Sequence, residues 1–220
     1  MRGVFVTGTD TGSGKTLVAT ALIHALRGQG MVVAGFKPVA AGAGLVQGQL
    51  RNEDALALLA ASGLDLPYAD VNPYCFAPPI APHIAAAEQG CRIESASLLA
   101  AAARLAEKAD YLVAEGAGGW RVPLSPELDM QGLAALLGLP VVLVVGLRLG
   151  CINHALLSAQ QIQRDGFDLV GWVANEIDPG MLERDGNLAT LDSLVPARRI
   201  GVLPWCRSDP DGVAGNWHLP

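Results

Sequence analysis

The segment from residue 8 to residue 16 carries the residue types of a phosphate-binding loop. It reads Gly8-Thr9-Asp10-Thr11-Gly12-Ser13-Gly14-Lys15-Thr16. Backbone N–H groups at the start of a helix can hold phosphates, and a lysine there adds positive charge for the outer ones. A hydroxyl directly after that lysine can ligate Mg²⁺. The segment predicts that the chain binds a nucleoside triphosphate, with contacts from Gly12, Ser13, Gly14, Lys15, Thr16 and Leu17.

The spacing of this loop departs from the standard pattern. One residue more than usual separates Gly8 from Gly14, and Thr9 stands where the first glycine is expected. An ordinary glycine-rich loop that caps a helix is the alternative interpretation. The apolar run before the loop and the helical pattern after it favour phosphate binding, because this context is the one that the motif requires.

Composition limits the classes of protein that fit. At 220 residues the chain suits one substantial domain, and we assign residues 1–220 to it. The net charge of −6 argues against nucleic acid or an anionic membrane as a partner. The four cysteines, one of them Cys206, show no Cys-x-x-Cys spacing, which argues against a thiolate metal site. With no signal peptide recognised before the first strand, we expect a cytoplasmic protein.

Alternating apolar runs and helical patterns predict an α/β fold. Since 51% of the residues are hydrophobic, the strands read as continuous buried runs. We therefore expect a single-domain, P-loop NTPase-like fold with a mainly parallel sheet and helices on both faces. Residues 63–94, rich in proline, are predicted to be an inserted loop region, and residues 207–220 an irregular tail. The predicted strands are 4–6, 32–36, 111–114, 141–145, 169–174 and 200–203, and the predicted helices are 14–29, 52–62, 95–109, 129–137, 152–165 and 181–194.

Ligands of such sheets collect beyond the carboxyl ends of the strands, so the residues there are candidates for the site. Lys37 follows the second predicted strand, where it either faces the cleft beside Lys15 or emerges at the rim of the sheet. Glu115 follows the third, and a carboxylate there can hold Mg²⁺ or its water shell. Asp54 opens a predicted helix, where the helix dipole alone stabilises an acidic residue.

Further candidates follow the remaining strands. Asn175 and Glu176 come after the fifth predicted strand, where an amide could pair with a base edge or serve as a turn residue. Pro204, Trp205 and Cys206 follow the last strand, where they could wall an adenine pocket or pack the tail.

These segments together resemble the dethiobiotin synthetases over nearly the whole chain. The motifs that carry the resemblance are long and unusual. They comprise residues 8–16, Gly35-Phe36-Lys37-Pro38-Val39, Asn52-x-Asp54-Ala55, Val71-Asn72-Pro73-Tyr74, Pro82-His83, Glu115-Gly116-Ala117-Gly118-Gly119-Trp120, Gly150-Cys151-Ile152-Asn153-His154-Ala155 and Gly171-Trp172-Val173-Ala174-Asn175.

The resemblance implies an ATP-dependent cyclo-ligase of biotin biosynthesis. Its substrates would be ATP, CO₂ and 7,8-diaminopelargonic acid, and Mg²⁺ would be required. The diamine takes up CO₂ as a carbamate, which attacks the γ-phosphate of ATP. The second amine then closes a urea ring and releases phosphate.

The resemblance also implies roles for individual residues. Lys15 and Lys37 would stabilise charge on the transferring phosphoryl group and the carbamate, as catalytic residues. Thr16, Asp54 and Glu115 would hold Mg²⁺, and Thr11, Lys37 and Ala41 would face the substrate. Asn175 would read the adenine. The nucleotide contacts would also include Gly116, Ala117, Gly118, Glu176, Pro204, Trp205 and Cys206.

A homodimer follows from the same resemblance. Gly150, Cys151 and Asn153 would offer groups to the substrate carboxylate in the active site of the other subunit. Three positions depart from the family pattern: Gly12 stands where glutamate is frequent, Ala41 where a serine is frequent, and Ser13 where valine is common, the last with little expected effect.

Two other functions share parts of this pattern. An ATP-dependent amidase or synthetase of the corrinoid pathway usually carries a further glutaminase domain, for which 220 residues leave no room. A nucleotide switch that dimerises on DNA or membrane needs a basic surface or an amphipathic tail, and residues 208–216 have neither feature.

Overall fold

A computed structural model describes residues 2–205 and Trp217. Within this part of the chain the strands, in order, are β1 (Gly3–Gly8), β2 (Val33–Phe36), β3 (Val39–Ala41), β4 (Gly44–Val46), β5 (Gln49–Arg51), β6 (Tyr74–Phe76), β7 (Tyr111–Gly119), β8 (Pro123–Ser125), β9 (Leu128–Asp129), β10 (Val141–Leu147), β11 (Leu169–Glu176) and β12 (Arg199–Leu203). The helices are α1 (Lys15–Gly28), α2 (Glu53–Ser62), α3 (Tyr68–Val71), α4 (Pro82–Glu88), α5 (Ser95–Ala106), α6 (Met130–Leu137), α7 (Cys151–Arg164) and α8 (Arg184–Leu194).

Six parallel strands form the central sheet in the order β12-β11-β10-β1-β7-β2. Each coincides with one of the six predicted apolar runs to within a few residues, and the predicted helices that connect them are present. The remaining described strands form short two-stranded sheets outside the central sheet, β3 with β6, β4 with β5 and β8 with β9. The predicted mainly parallel α/β architecture is confirmed.

Successive side chains along each strand point to opposite faces of the sheet, and this divides the core into two layers. Val4 and Val6 of β1 pack on one face of the sheet with residues of α1 and α2. Phe5, between them, packs on the opposite face with residues of α5, α6, α7 and α8. This division places helices on both sides of the sheet.

The structure differs from the predicted elements in three places. Strand β7 continues to Gly119, so Glu115 and the glycines after it lie within the strand and not beyond its end. Strand β11 likewise includes Asn175 and Glu176. The region 63–94 was predicted as a loop, but α3, β6 and α4 form in it, because Val71, Phe76 and Ala85 supply buried contacts.

The far end of the chain returns to the first helix. Trp217 is buried, its carbonyl accepts a hydrogen bond from Gln29 Nε2 at 3.2 Å, and its ring packs over Gly201. The other residues of the predicted irregular tail lie outside the described residues, as does Cys206. In the described ranges no helix is long and apolar enough to cross a membrane.

Gly35 allows α2 to approach β2 closely. A Cβ at this position would lie 2.7 Å from the Cβ of Leu58 and 3.0 Å from its carbonyl oxygen. Gly35→Ala is therefore expected to destabilise the protein by about 1–3 kcal/mol through overpacking. Urea denaturation measures the change. Gly28 of helix α1 supplies the control, because the methyl group of Gly28→Ala meets no described atom within 4 Å other than its neighbours and the backbone of its own helix, so stability should rise by about 0.5–1 kcal/mol. Equal effects of the two substitutions would contradict this packing.

Candidate active site

Glycines shape the loop between β1 and α1. Gly12 and Gly14 have φ of +83° and +88°, a region that other residues rarely adopt. A Cβ on Gly14 would also collide with the side-chain amide of Asn175, whose Nδ2 donates to the Ser13 carbonyl at 3.0 Å. The N-cap of α1 is Gly14, which has no side chain to cap the first turn. The backbone N–H groups of this turn are therefore available to an anion.

Lys15 opens α1 and lies at the base of this loop. The side chain is buried, and Nζ donates to the backbone carbonyl of Asp10 at 2.9 Å. Burial and the nearby charge of Lys37 lower the pKa of Lys15 to about 8. The loop itself is braced by an ion pair between Asp10 and Arg148, which follows β10. Among the described residues no carboxylate forms an ion pair with Lys15, which therefore faces the cleft as a cation.

Lys37 is the more enclosed of the two lysines in the cleft, with only 3% of the residue exposed. Its Nζ lies 2.5 Å from Glu115 Oε1 and 2.9 Å from Asp54 Oδ2. Burial alone lowers the pKa of the Lys37 ammonium, but the two carboxylates outweigh burial and the net direction is upward. The sequence left two alternatives for Lys37, which could face the cleft or emerge at the rim of the sheet. In the structure Lys37 faces the cleft.

Strand pairing explains why Lys37 and Glu115 meet. Phe36, the last residue of β2, pairs with Ala114 of β7, so the residues that follow them, Lys37 and Glu115, are also adjacent. Thr16 Oγ1 donates to Glu115 Oε1 at 2.8 Å, while the buried Glu115 Oε2 has no hydrogen-bond partner among the described residues. Burial raises the pKa of the Glu115 carboxyl against the opposing effect of Lys37.

Asp54 completes the group from the first turn of α2. Its side chain is 41% exposed and faces the opening of the cleft. Burial raises the pKa of Asp54, but the ion pair with Lys37 outweighs it, so the pKa lies below its ordinary value. Asp54, Glu115 and the Thr16 hydroxyl thus converge around Lys37.

These residues surround a cleft of about 670 Å³. Half of the residues predicted for the site line it, namely Thr11, Gly12, Gly14, Lys15, Thr16, Lys37, Ala41, Asp54, Glu115, Ala117 and Gly118. Sequence reasoning missed its apolar wall, which consists of Ala40, Pro79, Ile80, Ala81, Pro82 and Val122. The proline cluster in the region after residue 63 was the signal that could have pointed to this wall.

Other predicted contacts lie around this cleft. Ser13 is buried beneath the loop, Leu17 borders a neighbouring groove, and Gly116 contributes its carbonyl to Lys37 Nζ at 3.4 Å. Glu176 accepts hydrogen bonds from Arg184 and from the backbone of Trp205. Pro204 is half-buried and Trp205 is 48% exposed.

The segment predicted to serve a second subunit is not part of the lining of the cleft. Gly150, with φ of +95°, is exposed and opens α7 without a side-chain cap. Asn153 is also exposed, whereas the Cys151 side chain is buried in the core. The placement of these residues leaves their predicted role in a partner's site open to experiment.

Solved structures with the same architecture place the protein in a broad class. The septum site-determining protein MinD from Pyrococcus horikoshii, complexed with Mg-ADP, matches 95% of this chain and 82% of its own, with a TM-score of 0.56 and 17% identity. The signal recognition particle 54 kDa protein from Aeropyrum pernix, complexed with GDP, matches 99% of this chain and 43% of its own, with a TM-score of 0.57 and 16% identity. Together with the glycine-rich loop, this likeness identifies a P-loop NTPase fold.

Sequence comparison identifies the family within this class. A family model described as an AAA domain matches residues 2–208. The ATP-dependent dethiobiotin synthetase BioD of Aromatoleum aromaticum is 50% identical over all of this chain and 98% of its own length. The enzyme of the same name from Pseudomonas aeruginosa is 54% identical over all of this chain and 97% of its own. The chain belongs to the ATP-dependent dethiobiotin synthetase family.

The burial of Lys15 predicts a cost in stability that Lys15→Gln removes. The pKa of Lys15 falls from 10.5 to about 8 on folding. The charged Lys15 therefore lowers the stability of the folded protein by its full amount below pH 8, and this loss of stability disappears as pH rises towards 10.5. At pH 7, Lys15→Gln should stabilise the ligand-free protein by about 1–3 kcal/mol. At pH 10 the gain should have largely vanished.

Urea denaturation of the ligand-free protein at the two pH values measures this difference. Lys108→Gln is the matched control, because Lys108 is exposed and its removal should change stability little at either pH. A Lys15→Gln protein less stable than wild type at pH 7 would contradict the assigned burial of the charge.

Proposed function

We propose that this cleft converts 7,8-diaminopelargonic acid, CO₂ and ATP to dethiobiotin, ADP and phosphate. The observation that carries the proposal is the ion cluster beside a P-loop, in which buried Lys37 and Glu115 meet the partly exposed Asp54. Membership of the dethiobiotin synthetase family supports the same reaction. We place the reaction in the cytoplasm, as part of biotin biosynthesis.

The first steps build an anion that the two lysines stabilise. An amine of the substrate adds CO₂ and loses a proton, which leaves a carbamate. A carbamate oxygen attacks the γ-phosphorus of ATP, and the bond to the ADP oxygen breaks. Lys15 lies at the loop that receives the phosphates, and Lys37 lies deeper in the same cleft. Fixed cations in a water-poor site stabilise developing charge without reorganisation.

The last step closes the ring. The second amine attacks the carbamate carbon of the mixed anhydride, phosphate leaves with the C–O bonding electrons, and the amine loses its proton. Positioning accounts for most of the catalysis, since both amines and the anhydride are held in one cleft. The apolar wall of Pro79, Ile80 and Val122 suits the aliphatic chain of the diamine.

The donor set at the loop fits Mg²⁺. Thr16, Asp54 and Glu115 offer a hydroxyl and two carboxylates, and Mg²⁺ prefers oxygen ligands with few carboxylates. The buried Glu115 Oε2, which lacks a hydrogen-bond partner within the described chain, is available to the cation or to a water in its shell. When bound, Mg²⁺ would neutralise phosphate charge. Thr16 and Lys15 would orient the phosphates beside it.

We extend the nucleotide site to the residues around the loop. The phosphates would be surrounded on the side of the loop by Gly12, Ser13, Gly14, Thr16 and Leu17. On the side of β7 they would be bordered by Gly116, Ala117 and Gly118. Asn175, Glu176, Pro204, Trp205 and Cys206 would border the base. The hydrogen bond from Asn175 Nδ2 to Ser13 couples this base side to the loop. Thr11 and Ala41 would face the substrate.

The assay that tests the function follows ADP release together with mass detection of dethiobiotin. ADP and dethiobiotin should form in equal amounts, and only when the diamine, bicarbonate, ATP and Mg²⁺ are all present. ATP turnover that is indifferent to the diamine would exclude this function.

Replacement of either lysine should lower turnover, but the two replacements should differ in their effect on ATP affinity. We expect Lys15→Gln and Lys37→Gln each to lower turnover by about 10²–10³-fold, the usual scale for loss of one preorganised donor. ATP affinity should fall more for Lys15→Gln, because Lys15 lies at the phosphate loop. Calorimetry with a non-hydrolysable ATP analogue measures affinity, and circular dichroism verifies the fold.

The exposed lysine again supplies the control, since Lys108→Gln should leave turnover and affinity unchanged. A Lys37→Gln protein that loses chiefly ATP affinity would show that Lys37 serves the nucleotide and not the carbamate.

We also propose a homodimer in which Gly150, Cys151 and Asn153 of one subunit hold the substrate carboxylate at the other subunit's site. Free N–H groups at the start of α7 suit an anion. Mixing an inactive Lys37→Gln chain with an inactive Asn153→Trp chain should then restore activity in part. Each mixed dimer has one intact site, so at most about half of the wild-type activity returns. No recovery in verified heterodimers would mean that each subunit builds its site alone.

A further inference from the structure

The backbone of Lys37 is held by a segment that the proposed chemistry does not use. Lys37 lies between β2 and β3, outside both strands. Its N–H donates to the Val71 carbonyl at 2.8 Å, and its carbonyl accepts from Asn72 Nδ2 at 2.7 Å. Residues 71–72 therefore satisfy both backbone groups of Lys37.

Asn72 is in turn fixed by a tyrosine. It is 3% exposed, and its Oδ1 accepts a hydrogen bond from the Tyr68 hydroxyl at 2.9 Å. The same hydroxyl accepts a hydrogen bond from the backbone N–H of Asn52 at 2.8 Å. One hydroxyl thus joins the segment that holds Lys37 to the start of another element.

That element is helix α2, which carries Asp54. Asn52 is the N-cap of α2, and its Oδ1 accepts from the N–H groups of Asp54 at 3.1 Å and Ala55 at 3.3 Å. Its Nδ2 also donates to the carbonyl of Ala41 at 3.4 Å, on the wall of the cleft. A cap of this kind orients the first turn of a helix.

The Tyr68 ring is itself held in place. The Arg51 guanidinium lies 4.0 Å above its centroid, a favourable cation–π contact. Burial raises the pKa of the Tyr68 hydroxyl to about 12. The hydroxyl therefore keeps its proton, and with it the donation to Asn72, throughout the range in which enzymes work.

We propose that Asn52, Tyr68 and Asn72, here called the polar bridge, are positioning residues for the catalytic ion cluster. The Tyr68 hydroxyl links the backbone that carries Lys37 to the helix that carries Asp54. The bridge therefore sets the 2.9 Å ion pair between these two side chains and the position of one carboxylate proposed to hold Mg²⁺. This inference rests on the proposed function of the cleft.

Tyr68→Phe tests the bridge because it removes only the hydroxyl. The backbone N–H of Asn52 and Asn72 Oδ1 then lose their shared partner, and Asp54 and Lys37 move relative to each other. We expect kcat to fall by about 10–100-fold, as for other groups that orient ligands of a metal. The Mg²⁺ concentration for half-maximal turnover should rise by a similar factor, with the KM for ATP changed less.

Tyr74→Phe is the matched control. The Tyr74 hydroxyl also accepts a backbone hydrogen bond, from Glu94 at 2.9 Å, but its side chain lies outside the cleft. We expect kcat and the Mg²⁺ dependence of this variant to stay within twofold of wild type. A Tyr68→Phe protein that behaves like Tyr74→Phe would overturn the proposal, even if its Tm were lower.

Binding of Mn²⁺ provides a readout that does not depend on turnover. With the protein in excess over ATP, so that little Mn²⁺ is bound to free nucleotide, and with the diamine withheld, the electron paramagnetic resonance signal of free Mn²⁺ measures cation affinity. Tyr68→Phe should weaken Mn²⁺ binding by about 10-fold or more, and Tyr74→Phe should not. Unchanged Mn²⁺ affinity in Tyr68→Phe would contradict the link to Asp54.

Asn72→Asp serves if Tyr68→Phe fails to fold. It keeps an acceptor for Tyr68 but removes the donor to the Lys37 carbonyl, so kcat should fall while Mn²⁺ affinity changes little. Wild-type kinetics in this variant would overturn the Lys37 half of the bridge. The wild-type assay separates the two proposals: no dethiobiotin from wild type rejects the function, whereas active wild type with unaltered bridge variants rejects only the bridge.

Discussion

The buried ammonium of Lys37 is the constraint on which the rest of the site depends. A charge removed from water is tolerated only when other groups pair with it. Glu115 and Asp54 supply that pairing from two different elements, β7 and α2. The strand order that sets β2 beside β7, and the cap that begins α2, are therefore conditions for keeping Lys37 charged.

The contact between Lys37 and Glu115 depends on the pairing register of β2 and β7. Lys37 and Glu115 follow the paired residues Phe36 and Ala114, so a shift of one residue would turn the Glu115 side chain to the opposite face of the sheet. The ammonium would then lose its closest carboxylate. Lys15 lies under a different constraint, because its side chain meets a carbonyl oxygen instead of a carboxylate. A bound phosphate would supply the missing negative charge.

Much of this fold could be predicted from the sequence because it depends on local pattern. Continuous apolar runs marked all six strands of the central sheet, and the rule that ligands collect at strand ends brought Lys37 and Glu115 together. Asp54 could not be separated from an ordinary helix-start residue without the resemblance. Its ion pair with Lys37 depends on where α2 packs.

The unpredicted features depend on contacts between distant segments. Nothing near Tyr68 in the sequence reveals that its hydroxyl joins Asn52 to Asn72. The contact of Asn175 with Ser13 spans most of the chain and needs the glycine at position 14 to make room. The roles of Gly150, Cys151 and Asn153 stay predictions, since they require a second subunit.

The cleft shifts the pKa values of its two lysines in opposite directions, downward for Lys15 and upward for Lys37. The sequence contains three lysines, Lys15, Lys37 and Lys108, so selective ¹⁵N labelling of lysine side chains yields three assignable signals. A pH titration of the ligand-free protein by NMR should show Lys15 losing its proton with a pKa of about 8, while the pKa of Lys37 lies above its ordinary value of 10.5. A Lys37 that titrates below Lys15 would contradict the account, because the carboxylates would then not hold its charge.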